Sequence, residues 1–127
     1  LNGLHHVEIY VSDLAKSADF WSWFLERLGY QLYQSWDQGQ SWRLDDTYIV
    51  FVQVEERFKS IGYHRGRVGL NHLAFHAKSP AQVDEITEQL KARGVTILYA
   101  DKHPFAGGNY GVFFEDPDRI KVELVVG

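Results

Sequence analysis

The sequence predicts an α+β fold of two βαβββ modules that together form a cupped mixed sheet. Three observations carry this expectation. Gly3-Leu4-His5-His6-Val7 aligns with Gly69-Leu70-Asn71-His72-Leu73 at an offset of 66 positions, the signature of an internal repeat. A helical pattern follows each copy and stops at a glycine, Gly29 and Gly94. β-type runs then close each half. The 127 residues fit one domain of ordinary size, with modules at about 1–54 and 69–127 joined by a loop over 55–68.

The first strand is expected over Leu4–Val11. Val7, Ile9 and Val11 share one face, and His6, Glu8 and Tyr10 the other. Asp13 is positioned to cap a helix over Leu14–Leu28, whose Phe20, Phe24 and Leu28, flanked by Trp21 and Leu25, give a wide apolar face. Gly29 ends it in the left-handed region. Strands follow at Tyr30–Trp36, Ser41–Leu44 and Thr47–Val54, with Gln38-Gly39 and Asp45-Asp46 as turns. The second module opens with a strand over Leu70–Ala77, in which Leu73, Phe75 and Ala77 oppose His72, Ala74 and His76. Ser79, Pro80 and Gln82 spell a capped helix start. Val83, Ile86 and Leu90 form the apolar stripe, and Gly94 closes the helix. Strands at Val95–Ala100, Tyr110–Glu115 and Ile120–Val126 complete the module, with Asp116-Pro117-Asp118 as a tight turn.

Composition narrows the function. The chain has no cysteine, which removes thiolate ligands, thiol catalysis and disulfides. Its net charge of -4 offers no basic excess for phosphate neutralisation, so no nucleic-acid partner is expected. No apolar run approaches the roughly 20 residues that cross a bilayer, and no secretory leader pattern is visible. A cytoplasmic protein without a membrane partner is the expectation. The chain opens on Leu1 rather than Met, as expected if a few residues have been removed. The segment Glu55–Val68 reads either as a solvated linker or as a loop that closes over an anion through Arg57, Lys59, Arg65 or Arg67.

Strand parity selects the candidate site. His6 and His72 occupy equivalent positions, each opposite its helix-packing face. In the last strand Val122, Leu124 and Val126 are the apolar set, so Glu123 projects as the histidines do. A single strand histidine or glutamate is usually a solvated residue; three in register across a repeat are harder to dismiss. Two imidazoles and a carboxylate suit one divalent metal ion, Fe, Mn, Ni, Co or Zn, with coordination positions left open. His5 has the wrong parity and is expected behind the site or at the surface; His76 lies on the site face.

On these residues the sequence resembles the vicinal oxygen chelate superfamily, the glyoxalase/bleomycin resistance/dioxygenase group. The resemblance rests on the stretch from Leu4 to Leu14, on Gly69–Phe75, and above all on Phe114-Glu115-Asp116-Pro117-Asp118-Arg119-Ile120-Lys121-Val122-Glu123-Leu124. Arg119 departs from the glycine common at that point. The resemblance implies paired βαβββ modules, a metal at residues matching His6, His72 and Glu123, a small-molecule substrate chelated through oxygens, and a homodimer. Trp21 and Trp23 could supply an apolar interface or belong to the core.

The departures prune the family's chemistries. Glyoxalase I-like enzymes carry a fourth ligand on the last strand of the first module. Phe51 is read at that position here, with Gln53 the nearest polar residue. The tyrosine that extradiol dioxygenases place ten residues before the glutamate is Phe113, with His103 and Tyr110 out of register. Some fosfomycin-resistance enzymes have threonine where this chain has Glu8. His103, ahead of Pro104 and a Gly107-Gly108 segment, is the candidate general acid or base. Tyr110, Trp42, Arg43, Phe51 and Gln53 are candidate substrate-binding residues. The expected function is a metal-dependent enzyme, lyase/isomerase or dioxygenase-like. The alternative is a metal-free drug-sequestering protein of the bleomycin-resistance type.

Overall fold

Alternation in the first strand, β1 (His6–Val11), buries Ile9 and Val11 and leaves His6, Glu8 and Tyr10 exposed. This comes from a computed structural model that describes residues 3–127, so the expectation attached to Leu1 lies outside the described residues. The chain divides into two compact units, Leu1–Gly62 and Tyr63–Gly127.

In the first unit, Asp13 caps α1 (Leu14–Arg27) by accepting from the Lys16 N–H at 3.2 Å. α1 ends where Gly29 turns to φ +95°. Strands β2 (Gln31–Trp36), β3 (Gly39–Leu44) and β4 (Thr47–Gln53) complete a mixed sheet in the order β1-β4-β3-β2, with β1 and β4 parallel. The first hairpin turns at Asp37-Gln38, and Gly39 already belongs to β3, one residue earlier than the turn chemistry suggests. α1 lays Trp21, Phe24 and Leu25 on one face of this sheet, where Trp21 stacks on Phe51 at 4.9 Å. Each such burial is worth roughly 1.5–3 kcal/mol. Trp21 is therefore core, whereas Trp23 is half-buried beneath the Arg27 guanidinium.

The expected structureless linker contains a short helix, α2 (Glu56–Lys59), attached to the first unit. Its later residues belong to the second unit, where Tyr63 donates to the Leu70 carbonyl at 2.8 Å. Strand β5 (His72–His76) then leads to α3 (Pro80–Ala92). Ser79 accepts from the Gln82 N–H at 3.1 Å, while Gln82 reaches back to the Lys78 N–H at 2.7 Å, one residue beyond the usual box. β6 (Ile97–Leu98), β7 (Gly111–Glu115) and β8 (Lys121–Val125) give the sheet order β5-β8-β7-β6, with β5 and β8 parallel. β6 is shorter than the Val95–Ala100 expected. Val95 N–H still bonds the helix at the Leu90 carbonyl, and Tyr99 turns away at φ +54°. Among the described residues no helix is long and apolar enough to cross a membrane.

The repeat extends into backbone detail that sequence identity does not show. Gly39 opens β3 and Gly111 opens β7, and a Cβ at either would sit 2.6 Å from a carbonyl of the adjoining strand, Phe51 O or Leu124 O. Backbone cannot give way as a flexible side chain can. Gly111→Ala is therefore expected to destabilise the protein by about 1–3 kcal/mol, read as a lowered denaturation midpoint, with Gly108→Ala, where no atom lies within 4 Å, serving as a strain-only comparison.

Candidate metal centre

Parallel pairing of β5 with β8 sets Ala74 opposite Glu123 and His72 opposite Lys121. Leu73, Phe75, Val122 and Leu124 turn to the α3 side of the sheet. His72 and Glu123 thereby share the other face, with His72 Nε2 3.5 Å from Glu123 Oε1. The glutamate side chain is 13% exposed and the histidine 36%, so the pair opens to solvent on the histidine side. Phe113 lies across the strands from Glu123 and packs its edge against the His72 ring at 5.9 Å, giving the pair an apolar wall. The segment between β6 and β7 covers the carboxylate: a Cβ on Gly107 would lie 3.0 Å from Glu123 Oε2 and from Phe113 Cζ.

The imidazole is held from behind. His72 Nδ1 lies 2.8 Å from Asn71 Oδ1, and Asn71 Nδ2 donates to the Arg65 carbonyl at 3.1 Å. The Arg65 side chain donates to Glu115 and, at 3.0 Å, to the Arg119 carbonyl. Arg65 thus serves as an internal tie of the second unit rather than a free cation of a closing loop. Arg119 stands at φ +67°, the left-handed conformation that explains why glycine suits this turn. Its guanidinium donates to Glu115 at 3.2 Å.

In the first unit His6 occupies the repeat-equivalent strand position, with its Nδ1 2.8 Å from His5 Nδ1 and its ring stacked on Tyr48 at 4.7 Å. Tyr48 lies across from Arg43, whose guanidinium covers the Tyr33 ring at 5.0 Å. The structure brings His72 and Glu123 together and sets His6 on the matching strand of the first unit. Among the described residues no group of three or more His, Cys, Asp or Glu side chains is gathered as a metal site.

The substrate-binding expectations divide. Arg43 lies on the His6 face. Phe51 is wholly buried against Trp21 on the α1 side, and Trp42, two pairs along the same face, is 5% exposed and donates to Gln40. Both are core residues. Gln53 lines a shallow cleft with Tyr10 and Lys59, but its amide secures the start of α1, accepting from Leu14 N–H and donating to the Ser12 carbonyl, both at 2.9 Å. Tyr110 turns to α3, where its hydroxyl donates to Asp84; that hydrogen bond raises its pKa, with burial and the Asp84 charge adding to it. His103 sits half-buried in the segment that covers Glu123, its N–H donating to the Tyr99 carbonyl at 3.0 Å. His76 is exposed at the end of β5, with Nδ1 3.0 Å from the Gly127 carbonyl.

The register also corrects the position of the missing fourth ligand. β1 sets Glu8 opposite Val50, as β5 sets Ala74 opposite Glu123. Val50, not Phe51, is the first-unit counterpart of Glu123. A valine there supplies no donor. Neither Asn71 nor Lys121 stands out as a site residue in the sequence, and Gly107 is marked there only as part of the segment that follows His103. Strand parity places Lys121 beside Glu123, but no periodic signal marks Asn71 or Gly107.

Comparison with known proteins agrees with this architecture. The family model described as the glyoxalase/bleomycin resistance protein/dioxygenase superfamily matches residues 3–124, and the chain belongs to that family. It is 61% identical to the uncharacterized protein YqjT of Bacillus subtilis over 96% of this chain and 97% of the relative. The crystal structure of a candidate glyoxalase from Bacillus halodurans superposes with a TM-score of 0.96 at 58% identity, covering 98% of this chain and 95% of that one. The glutathione transferase FosA of Serratia marcescens is 31% identical over the whole chain and 82% of its own length.

Glu115 gives the second unit a defined acid sensitivity. Burial pushes its carboxyl pKa upward, but hydrogen bonds and charge from Arg65 and Arg119 outweigh this and hold it below the ordinary value. A depressed folded pKa means stabilisation present above the unfolded value and lost as pH falls through the folded one. Glu115→Gln should cost about 1–3 kcal/mol near neutral pH. Its melting temperature should also fall less steeply than that of the wild type on acidification below the ordinary carboxylate range.

Proposed function

We propose that the protein is a metal-dependent enzyme in which His6, His72 and Glu123 hold one divalent ion, and a small substrate chelates that ion through two oxygens. The observation that carries the proposal is the 3.5 Å separation of His72 Nε2 and Glu123 Oε1. That distance exceeds the roughly 2.7–3.2 Å of an N–H···O hydrogen bond. It is close to the separation of about 3.4 Å expected between two donor atoms bonded at about 2.1 Å, near-tetrahedrally, to one cation. Nitrogen and carboxylate oxygen on a cysteine-free site suit Mn, Fe, Co, Ni or Zn.

A bound ion of this kind would polarise a carbonyl or stabilise an oxyanion. The chain's own residues prepare that chemistry. Asn71 holds the imidazole, Phe113 and the Gly107 backbone narrow the space around Glu123, and Val50 contributes no donor. Three protein ligands leave positions for a bidentate substrate. Arg43, on the His6 face, would hold an anionic part of it. His103, in the segment that covers Glu123, is the proposed proton carrier.

Metal analysis of protein purified without chelator tests the proposal. Near-stoichiometric metal is expected in the wild type. His72→Ala and Glu123→Gln should each lower affinity at least tenfold, comparable to or beyond the roughly 10–100-fold typical of changes around a site. His76→Ala should bind as the wild type does. Negligible metal in all four proteins would sink the metal reading and favour small-molecule sequestration.

A further inference from the structure

We propose that Asn71 is a positioning residue that fixes the His72 tautomer, leaving Nε2 unprotonated beside Glu123. The inference rests on the metal-binding reading for its purpose but on local hydrogen-bond logic for its content.

The Arg65 carbonyl can only accept, so the Asn71 atom 3.1 Å from it must be the amide nitrogen. The other end of the same amide, Oδ1, then faces His72 Nδ1 at 2.8 Å. Oδ1 also only accepts, so Nδ1 must carry the proton. In a neutral imidazole the second nitrogen, Nε2, is then a bare lone pair. It lies 3.5 Å from a carboxylate oxygen, and two acceptors brought this close call for a cation between them.

Arg65 does not drift, because its guanidinium is tied to Glu115 and to the Arg119 carbonyl. A residue of the inter-module segment therefore sets the proton position on a strand histidine. The first unit has the same slot: the side chain preceding His6 is His5, and its Nδ1 meets His6 Nδ1 at 2.8 Å. The residue preceding each histidine thus engages that histidine's Nδ1. A merely solvated Asn71 would have no reason to satisfy both ends of its amide in this order.

The test is a long-range proton–nitrogen NMR correlation of the histidines in metal-free wild type, Asn71→Leu and Asn71→Asp, paired with Mn(II) titration of each. The wild type is expected to show His72 protonated at Nδ1. Asn71→Leu should shift His72 toward Nε2 protonation and weaken Mn(II) binding roughly 10–100-fold, whereas Asn71→Asp, which keeps an acceptor, should retain the tautomer and bind within about threefold or tighter. Nε2 protonation of His72 in the wild type overturns the proposal, even if Asn71→Leu does not fold. So does an unchanged tautomer in a folded Asn71→Leu. A tautomer shift without Mn(II) binding in the wild type keeps the positioning role and removes the metal reading instead.

Discussion

Parallel pairing of the first and last strands of each module is the constraint on which the rest depends. In each unit one face of the sheet is filled by a helix, and strand alternation then commits every second residue to the opposite face. Slipping β8 by one residue against β5 would send Glu123 into the α3 core and expose Val122 and Leu124. The cost of that exchange, two buried aliphatic side chains against one buried carboxylate, holds the His72–Glu123 pair in place. The chemistry of the open face is a by-product of a core that tolerates one register.

The two units share this device and diverge in what they hang on it. Both begin their third strand with a glycine pressed against a neighbouring carbonyl, and both place a histidine at the start of the first strand. Yet the second unit has Glu123 where the first has Val50, and the first has Glu8 where the second has Ala74. Donor groups are thus distributed unequally over a symmetric scaffold. That inequality lies in the side chains and not in the fold.

The environment of the pair is asymmetric as well. Phe113 and the Gly107 backbone crowd the carboxylate, whereas the imidazole is reached from behind through Asn71 and Arg65. A carboxylate packed against apolar surface has few competing partners, and an imidazole held by its far nitrogen has one free lone pair. Both conditions are what the proposed metal site requires at their meeting point.

Much of this was legible without coordinates. Alternation in three strands identified the faces of His6, His72 and Glu123, and the capping residues Asp13 and Ser79 located both helices, because these signals are local and periodic. The substrate-binding assignments fared differently. Phe51 follows from an assumed strand register and the side of Trp42 is open in the sequence; only the observed pairing showed that both face α1. Tyr110 and Gln53 are engaged by partners 26 and 39 positions away, Asp84 and Leu14, which no periodicity reports. From sequence the 55–68 segment reads either as a solvated linker or as a loop closing over an anion, yet Arg65 meets Glu115 across 50 positions. By itself the sequence determined the two modules, their helices and the parity of the proposed ligands, since each follows from short-range alternation and capping. Tertiary structure alone decided the register that makes Val50 the counterpart of Glu123, the proximity of His72 to Glu123, and the orientation of Asn71. Those depend on which strands pair and which distant carbonyl lies within hydrogen-bond reach.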